Sequence, residues 1–363
     1  MSPYWTYFSL TLIGLFAPFR LQGWIKPIVM SLFLLTTVVF IGLRDGISGD
    51  WENYLEIYTR AATDGFAYLW RAKDRGYTLL NILVGYFDLG LPTVNFLCAS
   101  ALVGGLFIFC RALKTFWLPW VFATPYVLFI IGMGYTRQSA ALGLVFIAIT
   151  QLRRGSWGRF LISIGCASLF HFSAVLVFPL IIAMIGSAQV SRGHKLLRSK
   201  LNAASVVALA LGIALLSAII LFLFLDLFAG PIKSYLQKDQ WHSNGAILRT
   251  GIGALMGLSF LLCHRYLEIT AIDKRLFLYM SILSIGTALA AFFFSTAADR
   301  VAIYWVPLQL YVVSVLPFLS EHAGRRALVS LGVVTLSIAY LWGWFAYAEH
   351  AMYWIPFRNF VFP

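Results

Sequence analysis

Long apolar stretches, separated by short polar ones, run through the whole chain. Most of them approach or exceed the roughly 20 apolar residues that an α-helix needs to cross the hydrocarbon core of a bilayer. The pattern therefore predicts an all-α polytopic membrane protein with about 10–12 transmembrane helices, since a helix satisfies its own backbone polar groups in lipid. The predicted spans are residues 4–19, 27–43, 94–110, 118–135, 138–152, 203–229, 247–263, 276–295, 301–319 and 327–347.

Two further apolar stretches do not fit a simple count of spans. Residues 76–93 are short and interrupted by charged, glycine and proline residues, which favours a re-entrant or interfacial helix. Residues 160–185 are too long for one span and too short for two, so we predict two short helices that meet near His171. Such a break at membrane depth requires protein or a watery cavity around it.

Composition agrees with a membrane protein. Hydrophobic residues make up 61% of the chain, and charged residues only 11%, against about 25% in a typical soluble domain. We expect one integral-membrane domain over residues 1–363, with an extracytoplasmic, aromatic-rich loop at 44–75 lying along the membrane surface. The four cysteines show no CxxC spacing, which indicates packing residues.

The net charge of +13 could suggest a nucleic-acid partner, but the basic residues are scattered between apolar stretches. With the predicted spans, 16 of the 27 basic residues and three acidic ones fall on one side, and the other side is balanced. The positive-inside rule makes the basic side cytoplasmic, and we expect no nucleic-acid partner. Five polar clusters then share the extracytoplasmic side: residues 44–54, 74–77, 137–138, 171 and 299–300.

Three arginines, Arg44, Arg137 and Arg300, lie at the ends of apolar stretches on that side. A guanidinium there costs free energy unless it reaches the interface or is paired. Arginine also binds phosphate bidentately, so these residues are candidates for binding a pyrophosphate-linked lipid. The alternative is interfacial anchoring, with Asp45 and Asp299 as neutralising partners.

Asp50, Trp51 and Tyr54 form a candidate sugar-binding set, because a carboxylate accepts hydroxyl protons and aromatic faces stack on sugar rings. Asp50 could instead be the N-cap of a helix that starts at Trp51. Asp74 is a second candidate sugar contact, and its alternative is a simple turn with residues 75–76 ahead of a helix.

His171, flanked by apolar residues, is either a hydrogen-bonded core residue or a general base. Asp50 is the other candidate base. Gln138 and Tyr235 are further candidate sugar contacts near the ends of spans. No pair of histidines has metal-ligand spacing and no DxD motif is present, so we expect no bound metal and no cofactor.

The polar clusters together carry a family resemblance. Their order along the chain is Arg44, Gly49 to Tyr54, Asp74 to Tyr77, Arg137 with Gln138, Phe170 to Ser173, and Arg300. In this order the chain resembles the EpsG family of bacterial exopolysaccharide and capsule polymerases, which are Wzy-like membrane glycosyltransferases. Asp74 departs from the family pattern, which usually has Glu followed two residues later by Gly.

The resemblance implies a polymerase that joins undecaprenyl-pyrophosphate-linked repeat units of exopolysaccharide, capsule or O-antigen type at the outer leaflet of the bacterial inner membrane. It allows a GT-C-like scaffold, and a flippase and a chain-length regulator as partners beside the glycan donor, the acceptor and membrane lipids. Two alternatives stay open from the residues: a membrane O-acyltransferase that acts on glycans through His171, and a lipid-linked oligosaccharide flippase.

Overall fold

The computed structural model describes residues 1–17, 22–181 and 245–362. It is 83% helical, and the described part contains no β-strand, only one isolated bridge between Arg44 and Asn359. The predicted all-α membrane fold is therefore confirmed. The predicted span 203–229 and the candidate residue Tyr235 lie outside the described residues.

The first of two compact units comprises residues 1–150, 159–175 and 310–363. In it α3 packs on α5, α5 on α6, and α6 on α2, while α1 and α15 both contact α7. Its helices are α1 (Ser2–Phe16), α2 (Ile25–Gly42), α3 (Trp51–Asp64), α4 (Phe66–Arg71), α5 (Arg75–Tyr86), α6 (Gly90–Arg111), α7 (Trp117–Ala123), α8 (Gly132–Gly134), most of α9 (Thr136–Arg153), most of α10 (Trp157–Phe170), part of α14 (Val306–Val315) and α15 (Ala323–Tyr347).

The second unit comprises residues 151–158 and 176–309. Its described helices are α11 (Ala246–Cys263), α12 (Ala271–Ala290) and α13 (Ser295–Ala302), and α11 packs against the other two. Two bidentate ion pairs lie within it. Arg153 donates to both oxygens of Asp273 at 2.8 and 3.0 Å, and Arg249 donates to both oxygens of Asp299 at 2.6 Å each.

Six helical segments of the described residues are long and apolar enough to cross a membrane. They coincide with predicted spans, as expected from hydropathy. They are Ile25–Gly42, Gly90–Arg111, Trp117–Gly134, Ala246–Tyr266, Ser295–Leu319 and Ala323–Tyr347.

The two ambiguous stretches resolve into short helices. The predicted break at His171 is present, since α10 ends at Phe170 and a 3₁₀ helix spans Phe172–Ile181. The first part of the stretch 76–93 forms α5, whose 12 residues extend over about 18 Å and are too short to cross the hydrocarbon core. The predicted loop 44–75 contains α3 and α4.

A π-helix, Thr124–Ile131, joins α7 to α8 within one apolar segment. Pro125 lies in its first turn and has no N–H to donate, so the regular i to i−4 ladder is interrupted there. Carbonyl groups in such a segment can accept hydrogen bonds from elsewhere. The carbonyl of Phe129 does so, accepting a bond from the indole N–H of Trp354 at 3.0 Å.

Helices α6 and α9 approach closely through two glycines. A Cβ placed at Gly105 would collide with the carbonyl oxygen of Gly143, and one placed at Gly143 would collide with the carbonyl of Ala101. Small residues at a crossing let two helix backbones meet in this way. The crossing fixes the position of α9, whose first turn carries Thr136 and Arg137.

We predict that Gly105→Ala lowers the stability of the protein by about 1–3 kcal/mol, because the added methyl group forces the two backbones apart. The neighbouring Gly104→Ala is the matched control, since a Cβ there meets nothing within 4 Å. Thermal unfolding of the detergent-purified variants measures the difference. Equal melting temperatures for the two variants would contradict the tight crossing.

Candidate functional site

Asp74 is the centre of a polar cluster in the first unit. Its side chain is only 8% exposed, and its Oδ2 accepts a hydrogen bond from Arg137 Nη1 at 2.8 Å. Its Oδ1 accepts the backbone N–H of Phe172 at 3.2 Å, and the Nδ1 atom of His171 lies 3.6 Å from Oδ2. We call Tyr54, Asp74, Arg137 and His171 the Asp74 cluster.

A glycine allows Asp74 to reach the helix break. Asp74 is the N-cap of α5, and its carbonyl accepts bonds from both the N–H and the hydroxyl of Thr78. A Cβ placed at Gly76 would lie 2.8 Å from the Cβ of Leu169, near the end of α10. Only a residue without a side chain lets the start of α5 lie this close to α10, which brings Asp74 beside His171.

The helix break supplies one of the groups that Asp74 binds. Phe172 begins the 3₁₀ helix, and the first N–H groups of a helix are available to acceptors outside it. The N–H of Phe172 donates to Asp74, so the carboxylate holds the start of the 3₁₀ helix as well as the side chains around it. The break predicted from sequence length therefore has a structural partner in Asp74.

Arg137 lies on the open side of the cluster. Its guanidinium carbon is 5.8 Å from the centroid of the Tyr54 ring, a distance at which the cation is attracted to the aromatic face. Tyr54 itself is buried, but Arg137 keeps 30% of its side chain exposed and His171 keeps 19%. The cluster thus presents a cation and an imidazole at an accessible surface.

The charges of the cluster shift the acidity of its members. Burial alone would raise the pKa of the Asp74 carboxyl, but the imidazole of His171, the charge of Arg137 and the N–H of Phe172 together lower that pKa below its usual value. Burial raises the pKa of Tyr54 more than the nearby Arg137 lowers it. At neutral pH the site therefore holds an ionised Asp74 and a protonated Tyr54 phenol.

Arg44 lies deeper, and only 1% of it is exposed. It donates from Nη2 to Thr136 Oγ1 at 2.6 Å and from Nη1 to the carbonyl of Ile41 at 3.0 Å. Burial lowers the pKa of Arg44 to about 10, which leaves it charged at neutral pH. Among the described residues no carboxylate lies within 4.0 Å of this guanidinium. Two cations, Arg44 and Arg137, thus meet the first turn of α9, where the helix dipole also favours an anion.

The predicted sugar-binding residues lie at different depths. Asp50 is exposed and directly precedes α3, as predicted, but its side chain makes no capping hydrogen bond. Trp51 is half-buried and packs against the apolar cluster that contains Tyr54 and Tyr77. Gln138 is buried in the first turn of α9. Among the described candidate sugar-binding residues, Asp50 and Trp51 are therefore the most accessible.

Arg137 has a partner outside the two residues, Asp45 and Asp299, that the anchoring alternative expected to neutralise the arginines. Asp74, not Asp45 or Asp299, binds Arg137. Asp299 instead forms its bidentate pair with Arg249 in the second unit, to which the exposed Arg300 also belongs.

Sequence reasoning missed Thr136, Asn95 and Arg249. Thr136 accepts a hydrogen bond from Arg44 and donates to the side-chain oxygen of Asn95 at 3.4 Å. Arg44, Thr136 and Asn95 therefore form one buried network. Arg249 and Asn95 each interrupt an apolar stretch, and that alone is a signal, because a polar side chain in such a stretch needs a partner.

The fold and the Asp74 cluster define a multi-pass helical membrane protein with a cationic polar site at the ends of its helices. The model of the EpsG family matches residues 28–359, nearly the whole chain, and the protein belongs to the EpsG family. Membership in this family implies a membrane protein that is similar to a polysaccharide polymerase and to glycosyltransferases of that kind. No curated protein and no solved structure matches the chain.

We predict that Asp74→Asn lowers the stability of the protein at pH 7 by about 1–3 kcal/mol, because Arg137 loses its ionised partner. Since the folded pKa of Asp74 lies below the ordinary value of 3.8, this contribution is fully present above pH 3.8 and is lost as the pH falls through the folded pKa. The gap between the melting temperatures of wild type and variant, measured in detergent between pH 7 and pH 3, should be constant above pH 3.8 and should narrow below it.

The control for this series is Glu56→Gln. Glu56 pairs with Arg60 at 2.6 Å, but both side chains are more than half exposed, so the change should have little effect at any pH. A gap between wild type and Asp74→Asn that stays constant down to pH 3 would refute the role of the carboxylate charge.

Proposed function

We propose that this protein is a polysaccharide polymerase of the bacterial inner membrane. It transfers a glycan from an undecaprenyl-pyrophosphate-linked donor to a hydroxyl group of an acceptor glycan on the extracytoplasmic side. The observation that carries the proposal is the pair of arginines at the first turn of α9 beside Asp74 and His171, in a chain of the EpsG family. The distribution of basic loops supports the sidedness.

The donor's pyrophosphate would bind at Arg137. This guanidinium is partly exposed while one of its nitrogens holds Asp74, so other N–H groups can donate to phosphate oxygens. The buried cation of Arg44 and the N-terminus of α9 add positive potential behind it. As the bond from the sugar C1 to the pyrophosphate oxygen breaks, these groups stabilise the developing charge of the leaving group. Arg300 belongs to the second unit, and its role in binding the pyrophosphate stays a prediction from the sequence.

His171 would act as the general base. The attacking hydroxyl oxygen forms a new bond to C1 of the donor sugar and gives its proton to the base. The Nδ1 atom of His171 is buried beside Asp74, while part of the ring is exposed, which leaves the other side of the imidazole for a hydroxyl group. Asp50 is the second candidate base. In a retaining reaction the need for such a base would be smaller.

The glycan chains would contact the surface around Asp50 and Trp51. A half-buried indole beside an exposed carboxylate offers a stacking face and a hydroxyl acceptor. The buried Tyr54 would act indirectly, by holding the guanidinium of Arg137 against its ring. Gln138 and Asp74 are further proposed sugar contacts, and Tyr235, outside the described residues, stays a prediction from the sequence. A flippase and a chain-length regulator are the proposed protein partners.

We predict that Arg137→Ala abolishes polymer formation while the protein still accumulates in the membrane. Arg137→Lys keeps the charge but loses the bidentate geometry, and should retain at most about one tenth of the rate. Arg60→Ala, which removes an exposed cation, should behave as wild type. Chain growth is measured with purified protein and lipid-linked repeat units. Normal polymer from Arg137→Ala would rule out the assignment.

A second comparison decides which group is the base. His171→Asn should lower the rate by about 10²- to 10⁴-fold, the usual contribution of a general base, and Asp50→Asn by less than about tenfold. His322→Asn, at the exposed N-cap of α15, is the control. The same assay gives the rates, and the reverse ranking would assign the role to Asp50.

A further inference from the structure

The C-terminal segment, residues 349–362, is bound to the loop that carries Arg44. The N–H of Asp45 donates to the carbonyl of Arg358 at 3.1 Å, and the N–H of Phe360 donates to the carbonyl of Leu43 at 2.9 Å. These two bonds place Asn359 opposite Arg44 in the isolated bridge. The end of the chain is therefore paired with the backbone of a proposed site residue.

The side chain of Asn359 binds the end of α2. It is buried, and its Nδ2 donates to the carbonyls of Val39 and Phe40 at 3.0 and 3.3 Å. Both carbonyls belong to the last four residues of α2, and that of Val39 also accepts the N–H of Leu43 at 3.1 Å, so the amide reinforces the last turn of the helix. Its Oδ1 accepts the N–H groups of Val361 and Phe362, so every group of the amide is used. Asn359 thus fixes the helix end from which Arg44 follows.

Trp354 binds the π-helix that precedes α9. Its indole N–H donates to the carbonyl of Phe129 at 3.0 Å, and its own carbonyl accepts the hydroxyl of Tyr4 at 2.9 Å. The ring also covers Gly134, where an added Cβ would lie 3.1 Å from it. Gly134 is two residues before Thr136, so the contact is made at the entrance to α9.

We infer that Trp354 and Asn359 are positioning residues that set Arg44 and Arg137 relative to one another. Asn359 holds the end of α2 and Trp354 holds the approach to α9, and the bond from Arg44 to Thr136 lies between those two points. The C-terminal segment is then a working part of the site rather than a tail. The inference rests on the proposed function only where it assigns a role in binding the donor.

The first test measures local order and needs no activity. In Trp354→Phe, which keeps an aromatic ring but removes the N–H, amides of residues 132–139 should exchange hydrogen about fivefold or more faster than in wild type. In Asn359→Ala the same should hold for residues 40–46. Val313→Ala removes buried volume elsewhere in the first unit and is the destabilising control. Trp342→Phe, an exposed tryptophan on α15, is the chemical control.

The second test measures KM and kcat for the lipid-pyrophosphate donor in the polymerisation assay. Both variants should raise the KM for the lipid-pyrophosphate donor about fivefold or more and should also lower kcat, because the displaced arginines lose ground-state binding of the pyrophosphate and part of the stabilisation of the leaving group. The Val313→Ala variant should leave that KM at the wild-type value even where it lowers the melting temperature equally.

The outcomes of the two tests separate the inference from the proposed function. Exchange in both segments that matches the Val313→Ala control overturns the inference, and so does a failure of both variants to fold, because the segment would then serve general stability. A wild-type protein that shows no polymer formation refutes the proposed function, while the exchange measurement still decides whether the segment positions the arginines.

Discussion

The buried guanidinium of Arg44, which pairs with no carboxylate among the described residues, sets the main constraint on the first unit. Taking an ion the size of the Arg44 side chain out of water costs at least several kcal/mol, even after the surrounding protein relaxes. The structure offsets this with a hydroxyl from α9 and a carbonyl from α2. Those two groups come from helices far apart in the chain, so the charge can be buried only if α2 and α9 meet at one point. The rest of the site is arranged around that meeting point.

The polar residues of this unit gather where helices end or break. Asp74 precedes α5, Arg137 opens α9, and His171 lies between two short helices. At such points backbone groups lack helical partners, and side chains can satisfy them without disturbing a long helix. Glycines make the close approaches possible, at Gly76 against α10 and at Gly105 against α9. Site geometry and helix packing therefore depend on the same few small residues.

Much of the fold could be predicted from the sequence, because spans follow from hydropathy and length. The break at His171 followed from a stretch that is too long for one membrane span and too short for two. The pairing of Asp74 with Arg137 could not be predicted, since it joins residues 63 positions apart and depends on how α5 and α9 pack. The burial of Arg44 could not be predicted either, because a position at a helix end suits an exposed side chain as well as a buried one. The backbone pairing of the C-terminal segment with the loop at Arg44 could not be predicted, because an isolated bridge leaves no periodic pattern in the sequence.

One oxygen of Asp74 serves two neighbours, since Oδ2 lies 2.8 Å from Arg137 and 3.6 Å from His171. An incoming phosphate that draws the guanidinium towards itself would leave this oxygen to the imidazole alone. The carboxylate would then stabilise the imidazolium that forms when a hydroxyl gives up its proton. In the proposed reaction, a shared acceptor of this kind would couple donor binding to proton transfer, because Asp74 would support the imidazolium fully only once the pyrophosphate had bound Arg137.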